Sequence, residues 1–167
     1  MSRIVFDTEA NDLIDSFKTG TYTTVSKLHC IATINLDTKE KRSFNSRDDN
    51  LLEGMDYLKS ADLLIGHSVI DYDFRLLKML YDWTYPGRVI DTLKLSQMLY
   101  PERAGGHGLE QWGKTLNRFK PEHEDWTQYS DEMMHRCEED TEINMRVYQI
   151  LCKEAREPIE GVTLWEC

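Results

Sequence analysis

The first apolar run of the chain is followed at once by two acids, and that order restricts what the fold can be. Ile4-Val5-Phe6 is short and apolar, and it reads as a buried strand. Asp7 and Glu9 follow it directly. Side chains two apart in a strand point to the same face, so both carboxylates project together from the end of an element anchored in the core. Like charges held that close require a cation between them, or a proton on one of them. Hard divalent ions, Mg²⁺ or Mn²⁺, suit oxygen donors of this kind. The alternative at this point is a pair of solvated acids just past a strand end.

The rest of the chain narrows the choice. Its 167 residues are enough for a substantial core and read as one domain, 1–167, with the packed part over about 3–153. With 40% hydrophobic and 30% charged residues the composition is that of a soluble globular protein. No apolar run is long enough for a bilayer, and the start of the chain enters a strand without a leader pattern, so the expected location is the cytoplasm. Cys30, Cys137, Cys152 and Cys167 are scattered and form no CxxC pair, which fits reduced thiols and no structural zinc. A net charge of −10 argues against a protein that coats nucleic acid through a basic surface. It is compatible with an enzyme that grips one strand end where metal ions supply the positive charge.

Leu28–Leu36 and Lys41–Asn45 read as strands joined by the turn Asp37-Thr38-Lys39-Glu40, and with the first strand they form an antiparallel meander. Residues 18–27 are polar and read as a loop. Asp48 and Asp49 are placed to cap a helix over 51–60 with Leu51, Leu52, Met55 and Leu58 inward. Leu63–His67 is a fourth strand. A helix over 72–83 follows, with Phe74, Leu77, Leu80 and Tyr81 on its inner face, and Pro86-Gly87 breaks it. Arg88–Thr92 is a fifth strand. Helices are expected over 92–100 and over 107–117, the latter with Leu109, Trp112 and Leu116 inward. A polar loop over 118–128 leads to Ser130, which caps a long helix to about 153, and a mobile tail spans 157–167. This order gives an α/β fold, a mixed five-stranded sheet flanked by helices, as in the ribonuclease H-like fold.

Further acids stand where these elements start or turn. Asp71 reads as a helix N-cap, Asp73 as an acid entering the same helix, and Asp91 as the cap of the helix at 92. Glu138 and Glu139 read as a solvated helix face. Asp140 precedes Ile143, Val147 and Ile150 at helical spacing, near the edge of the buried stripe, where an unpaired acid would be costly.

Asp7-Thr8-Glu9, His67-Ser68 with Tyr72-Asp73, and His135 with Asp140 resemble, in order, the three motifs of the DEDD (DnaQ-like) superfamily of 3′→5′ exonucleases. The resemblance spans about residues 3–150. Within it, Phe6–Asn11, Ile90–Leu93, His107–Gly113 and Asp131–Met134 are most similar to the proofreading domain of the DNA polymerases of short-tailed bacteriophages, here standing alone. The resemblance implies that Asp7, Glu9, Asp73 and Asp140 hold two divalent metal ions, Mg²⁺ or Mn²⁺. One branch of the superfamily carries a Tyr four residues before its last Asp, and the other a His five before it. Those positions here are Arg136 and His135, so the chain fits the histidine branch and departs from its phage look-alikes. Residues five apart in a helix lie about 140° apart, so His135 reaches the metals only from a bent or irregular helix start.

The implied reaction is two-metal hydrolysis of a phosphodiester, with His135 taking the water's proton and a nucleoside 5′-monophosphate as product. The resemblance also implies that Thr8, Ala10, Asn11 and Leu13 cradle the terminal nucleotide, Leu13 as a wedge against the last base. Tyr72 packs at the site or in the core, and His67 and His107 read as structural. Single-stranded DNA 3′ ends are the expected partner, with RNA as the alternative substrate and a separate polymerase as a possible protein partner. A different class, a binding module on a degenerate exonuclease fold, is disfavoured because all four carboxylates and His135 are present.

Overall fold

The computed structural model describes residues 1–13, 25–119 and 121–156. Most of the expected loop over 18–27 and the whole expected tail over 157–167 lie outside the described residues. Three strands come first: β1 (Arg3–Ala10), β2 (Leu28–Asn35) and β3 (Lys41–Asn45). Then α1 (Leu51–Lys59), β4 (Leu63–Gly66), α2 (Asp73–Tyr81) and β5 (Arg88–Asp91) alternate. Helices α3 (Thr92–Leu99), α4 (Leu109–Thr115) and α5 (Asp131–Arg156) follow. The sheet order is β3-β2-β1-β4-β5, with β1 central. β1 runs antiparallel to β2 and parallel to β4, and β4 runs parallel to β5. The mixed five-stranded α/β sheet expected from the sequence is the one observed.

Alternation along β1 divides the core. Ile4 and Phe6 face one side and pack with Ile31, Phe44, Met55, Leu58, Leu76 and Leu77, the inner residues of α1 and α2 among them. Val5 faces the other side and packs with Leu63, Ile65, Tyr148 and Cys152. Helix α5 lies over that second face and carries α3 and α4 through Leu95, Leu99, Trp112, Ile143, Val147 and Leu151. Burial of each such side chain contributes about 1.5–3 kcal/mol. Asp7 and Glu9, two and four residues after Val5, therefore face α5. Their neighbours on β2, Ala32 and Cys30, pack on Met133, Met134 and Cys137 of that helix. The described cysteines, Cys30, Cys137 and Cys152, are free thiols. No described helix is long and apolar enough to cross a membrane.

Several local expectations change. Asn50, not Asp48 or Asp49, stands at the start of α1, and its side chain makes no cap bond. The turn after β3 closes on Asn45 instead: Asn50 Oδ1 accepts from Asn45 N at 2.7 Å, and Asp48 Oδ2 accepts from Asn45 Nδ2 at 2.8 Å. Asp49 takes a left-handed φ of 55° in the same turn. Leu52 is 67% exposed, because Gly54 takes the inward place against the Phe44 ring. In α2 the buried pair is Leu76 and Leu77, and Tyr81 is exposed at the helix end. Asp71 does not cap α2; it pairs with Lys94 at 2.6 Å. Strand β4 stops at Gly66, where a Cβ would come within 2.6 Å of Val69, so only glycine allows the tight turn.

Candidate active site

The three acids of the central cluster arrive from two elements. Asp7 and Glu9 share the α5 face of β1, at the end where a register shift between Glu9 and Ala10 terminates regular pairing. Asp140 sits on the buried stripe of α5 with Ile143, Asn144 and Val147, and is 4% exposed. The result is that carboxylate oxygens of Asp7, Glu9 and Asp140 lie within 4.8 Å of one another. The Cys137 thiol, one turn before Asp140, donates to the Asp7 carbonyl at 3.4 Å and ties helix to strand. Burial, with Cys30 beside it, pushes that thiol up and keeps it protonated.

Asp73 stands apart from this trio. Thr8, between the two β1 acids, points to the opposite face and meets Asp73 there, its hydroxyl donating to Asp73 Oδ1 at 2.5 Å. Asp73 is the first residue of α2 and is buried. Burial pushes its carboxyl up to about 7, against the lowering effect of the Thr8 hydroxyl. Tyr72 next to it is half-buried and donates its hydroxyl to the Asp12 carbonyl at 3.1 Å. Burial, then the charges of Asp73, Glu9 and Asp7, raise the phenol, so it remains a donor.

The candidate substrate residues are mixed in character. Thr8 and Ala10 are buried. The Asn11 amide oxygen accepts from Ser26 N and Lys27 N, both at 2.9 Å, so this side chain secures the chain entering β2. Leu13 is 74% exposed. His67 and His107 make the structural bonds expected of them: Nδ1 of His67 lies 2.9 Å from Thr92 Oγ1, and Nδ1 of His107 lies 2.8 Å from Ser96 Oγ.

His135 is exposed and is not in the three-acid group. Helix α5 is unbroken from Asp131 to Arg156, so His135 lies in regular helix, turned about 140° from Asp140. The residue that does meet the cluster is Arg136. Its Nε lies 3.7 Å from Glu9 Oε1, its Nη1 donates to the Pro121 carbonyl at 2.6 Å, and its guanidinium lies 5.3 Å from the Trp126 ring centre. Arg136 was missed as a site residue in the sequence, although its place one helical turn before Asp140 puts it on the same face. Asp91 caps α3 as expected, accepting from Leu93 N at 3.0 Å and Lys94 N at 3.3 Å. It also accepts from Ser68 N at 3.0 Å and Ile70 N at 3.1 Å, and so holds the loop that leads to Asp73. Glu138 is exposed, whereas Glu139 is not simply solvated: Arg118 Nη2 reaches both its oxygens, at 3.0 and 2.7 Å.

A cavity of about 790 Å³ lined by Leu99, Tyr100, Arg103, Trp112 and Glu154 lies elsewhere. Glu154 is about 21 Å along α5 from Asp140 at 1.5 Å per residue, so this cavity is separate from the acids. The acid trio offers oxygen donors only, with no His or Cys among them. That set fits Mg²⁺ or Mn²⁺ and is a poor one for zinc.

No protein-family model matches the sequence, and no curated protein matches it. Solved structures do. The family B DNA polymerase from the hyperthermophilic archaeon Pyrobaculum calidifontis is similar with a TM-score of 0.69 and 14% identity, over 98% of this chain and 26% of that one. This chain therefore spans about a quarter of that polymerase. Brucella melitensis NrnC bound to pGG is similar with a TM-score of 0.66 and 17% identity, over 92% of this chain and 73% of that one. The same protein with bound Mg²⁺ gives a TM-score of 0.65 and 18% identity, over 92% and 73%. Exonuclease X in complex with 5′ overhanging duplex DNA gives 0.60 and 16%, over 96% and 97%. At such identities the likeness is one of fold, and the fold is ribonuclease H-like.

Proposed function

We propose that the chain is a metal-dependent 3′→5′ exonuclease that hydrolyses phosphodiester bonds at single-stranded or frayed DNA ends and releases nucleoside 5′-monophosphates. The observation that carries this reading is the convergence of Asp7, Glu9 and Asp140 within 4.8 Å on a ribonuclease H-like sheet. The fold's neighbours support it: one is an exonuclease in complex with DNA, one is bound to pGG, and one structure contains Mg²⁺.

In this reading Asp7, Glu9 and Asp140 hold divalent ions, with Asp73 assisting from the far side of β1. Two such ions would stabilise the charge that develops on the attacking and leaving oxygens. The chain's own residues do the rest. Thr8 fixes the Asp73 carboxyl. Leu13 offers an exposed apolar edge to the last base. Tyr72 keeps its proton and donates it to the Asp12 carbonyl, which holds the segment after β1 beside the acids. His135, on the exposed side of α5 and turned away from the acids, takes no part, and the proton of the attacking water passes to solvent. Water adds to phosphorus, the bond to the 3′ oxygen breaks, and that oxygen leaves with a proton.

The test is digestion of a 5′-labelled single-stranded DNA oligonucleotide with Mg²⁺ or Mn²⁺, beside EDTA and Asp7→Ala controls. A ladder that shortens from the 3′ end and vanishes in both controls is the expected result. A matched RNA oligonucleotide reads the sugar preference, and faster cleavage there would make the chain an exoribonuclease acting through the same site. Absence of cleavage on both substrates would overturn the enzyme reading in favour of a binding module.

A further inference from the structure

Where β4 and β5 end, Gly66 pairs with Asp91, so the next residues of each strand, His67 and Thr92, stand side by side. On β1, Val5 pairs with Ile65, and Asp7 lies two residues further toward the same end. Thr92 is fully buried there, and Asn144 of α5 is 1% exposed. The Thr92 hydroxyl donates to Asn144 Oδ1 at 2.7 Å. The Gly66 carbonyl lies 3.3 Å from the same hydroxyl, but the Asn144 oxygen is the nearer acceptor, and with the single proton committed to it His67 Nδ1–H is the donor in the 2.9 Å contact with Thr92 Oγ1. Asn144 is one helical turn after Asp140, on the same face of α5.

We infer that Thr92 is a positioning residue for the carboxylate cluster: its hydroxyl, shared between His67 on the sheet and Asn144 on α5, sets the depth at which Asp140 meets Asp7 and Glu9. The inference rests on the metal-site reading proposed above. A buried amide oxygen such as that of Asn144 must keep a donor, so the helix is held where Thr92 can reach it. Small divalent ions demand near-ideal oxygen geometry, so a slight slip of α5 is felt at the site. Asp91 does the matching work on the neighbouring loop, through its bonds from Ser68 N and Ile70 N.

The test is a Mn²⁺ titration of the folded protein, followed by the electron paramagnetic resonance signal of the free ion, at a temperature well below each variant's melting point. Thr92→Val keeps the shape and removes the hydroxyl, and affinity is expected to fall about tenfold. Thr92→Ser returns the hydroxyl and is expected to restore wild-type affinity, which a loss of packing alone would not explain. A folded Thr92→Val protein with wild-type affinity overturns the inference. If Thr92→Val does not fold, His67→Ala carries the test from the half-exposed end of the chain of bonds: weaker Mn²⁺ binding supports the positioning role, and unchanged binding overturns it. A wild-type protein that binds no Mn²⁺ overturns the metal-site reading itself, and this inference with it.

Discussion

His135 and Arg136 are adjacent in sequence and differ sharply in place. Arg136 lies over Trp126 and beside Glu9, while His135 is exposed. A general base must come within hydrogen-bond reach of the water it deprotonates, and His135 lies in regular helix about 140° from Asp140. His135→Ala is therefore expected to leave kcat and Mg²⁺ affinity near wild type, without the loss of about 10²–10⁴-fold that removal of a positioned base causes. Single-turnover digestion of a labelled oligonucleotide measures it, and a fall in kcat of about 10²-fold or more would make His135 the base. Arg136→Ala acts on the fold instead. It leaves Glu9 without this cation and the Pro121 carbonyl without its donor. A loss of about 1–3 kcal/mol in urea unfolding with EDTA present is the expected result.

At the scale of elements, acids at helix starts show what a sequence can and cannot say. Asp71 and Asp91 look alike on the page, each an Asp ahead of an apolar helix. Asp91 accepts four backbone N–H groups, whereas Asp71 makes a surface ion pair with Lys94. Asp91→Ala is expected to cost about 2–4 kcal/mol. Asp71→Ala is expected to cost less than about 1 kcal/mol, and parallel urea melts read both. Element type and order were legible because period-2 and period-3.6 apolar patterns are local. Asp91 was legible as the cap of α3, because its donors Leu93 N and Lys94 N are local, whereas its second pair of donors was not, because Ser68 N and Ile70 N lie more than twenty residues away. The same holds at the site. Asp7 and Glu9 were legible from strand alternation, and Asp140 from its place on a buried stripe. Arg136 at Glu9 was missed because the pairing crosses from α5 to β1. Another long-range tie sets a pH dependence: His29 of β2 is buried, with Nε2 3.0 Å from the Trp126 carbonyl. Burial holds its pKa below the ordinary value, so the unfolded chain takes up the proton first as pH falls. Its contribution is full above about pH 6.5 and is lost as pH falls through its lowered folded value. Asp73, raised to about 7, works in the opposite sense, stabilising at low pH and losing that contribution as pH rises through 7. The comparison of wild type with His29→Gln isolates the histidine, and the variant is expected to show a flatter decline on acidification from neutral pH.

For the molecule as a whole, the balance of charge is −10, and three carboxylates converge at one point of the central strand and its covering helix. In the metal-free protein their mutual repulsion opposes the folded state, since the unfolded chain lets them separate. A divalent ion that binds only the folded cluster reverses this and stabilises by mass action, about 2.7 kcal/mol at a hundred times its dissociation constant. For a domain of this size that corresponds to a rise in Tm of about 5–11 °C. Sodium chloride at matched ionic strength screens the same net charge without occupying the site, so its effect is expected to be smaller. Asp7→Asn removes one donor and one negative charge together. Its metal-free form is expected to melt no lower than wild type in EDTA, and it should gain little from Mg²⁺. Calorimetry of both proteins in EDTA, in Mg²⁺ and in matched sodium chloride separates a specific site from general screening. Equal rises for wild type and Asp7→Asn in Mg²⁺ would mean that the ion acts on the acidic surface at large, and the cluster would lose its claim to be a metal site.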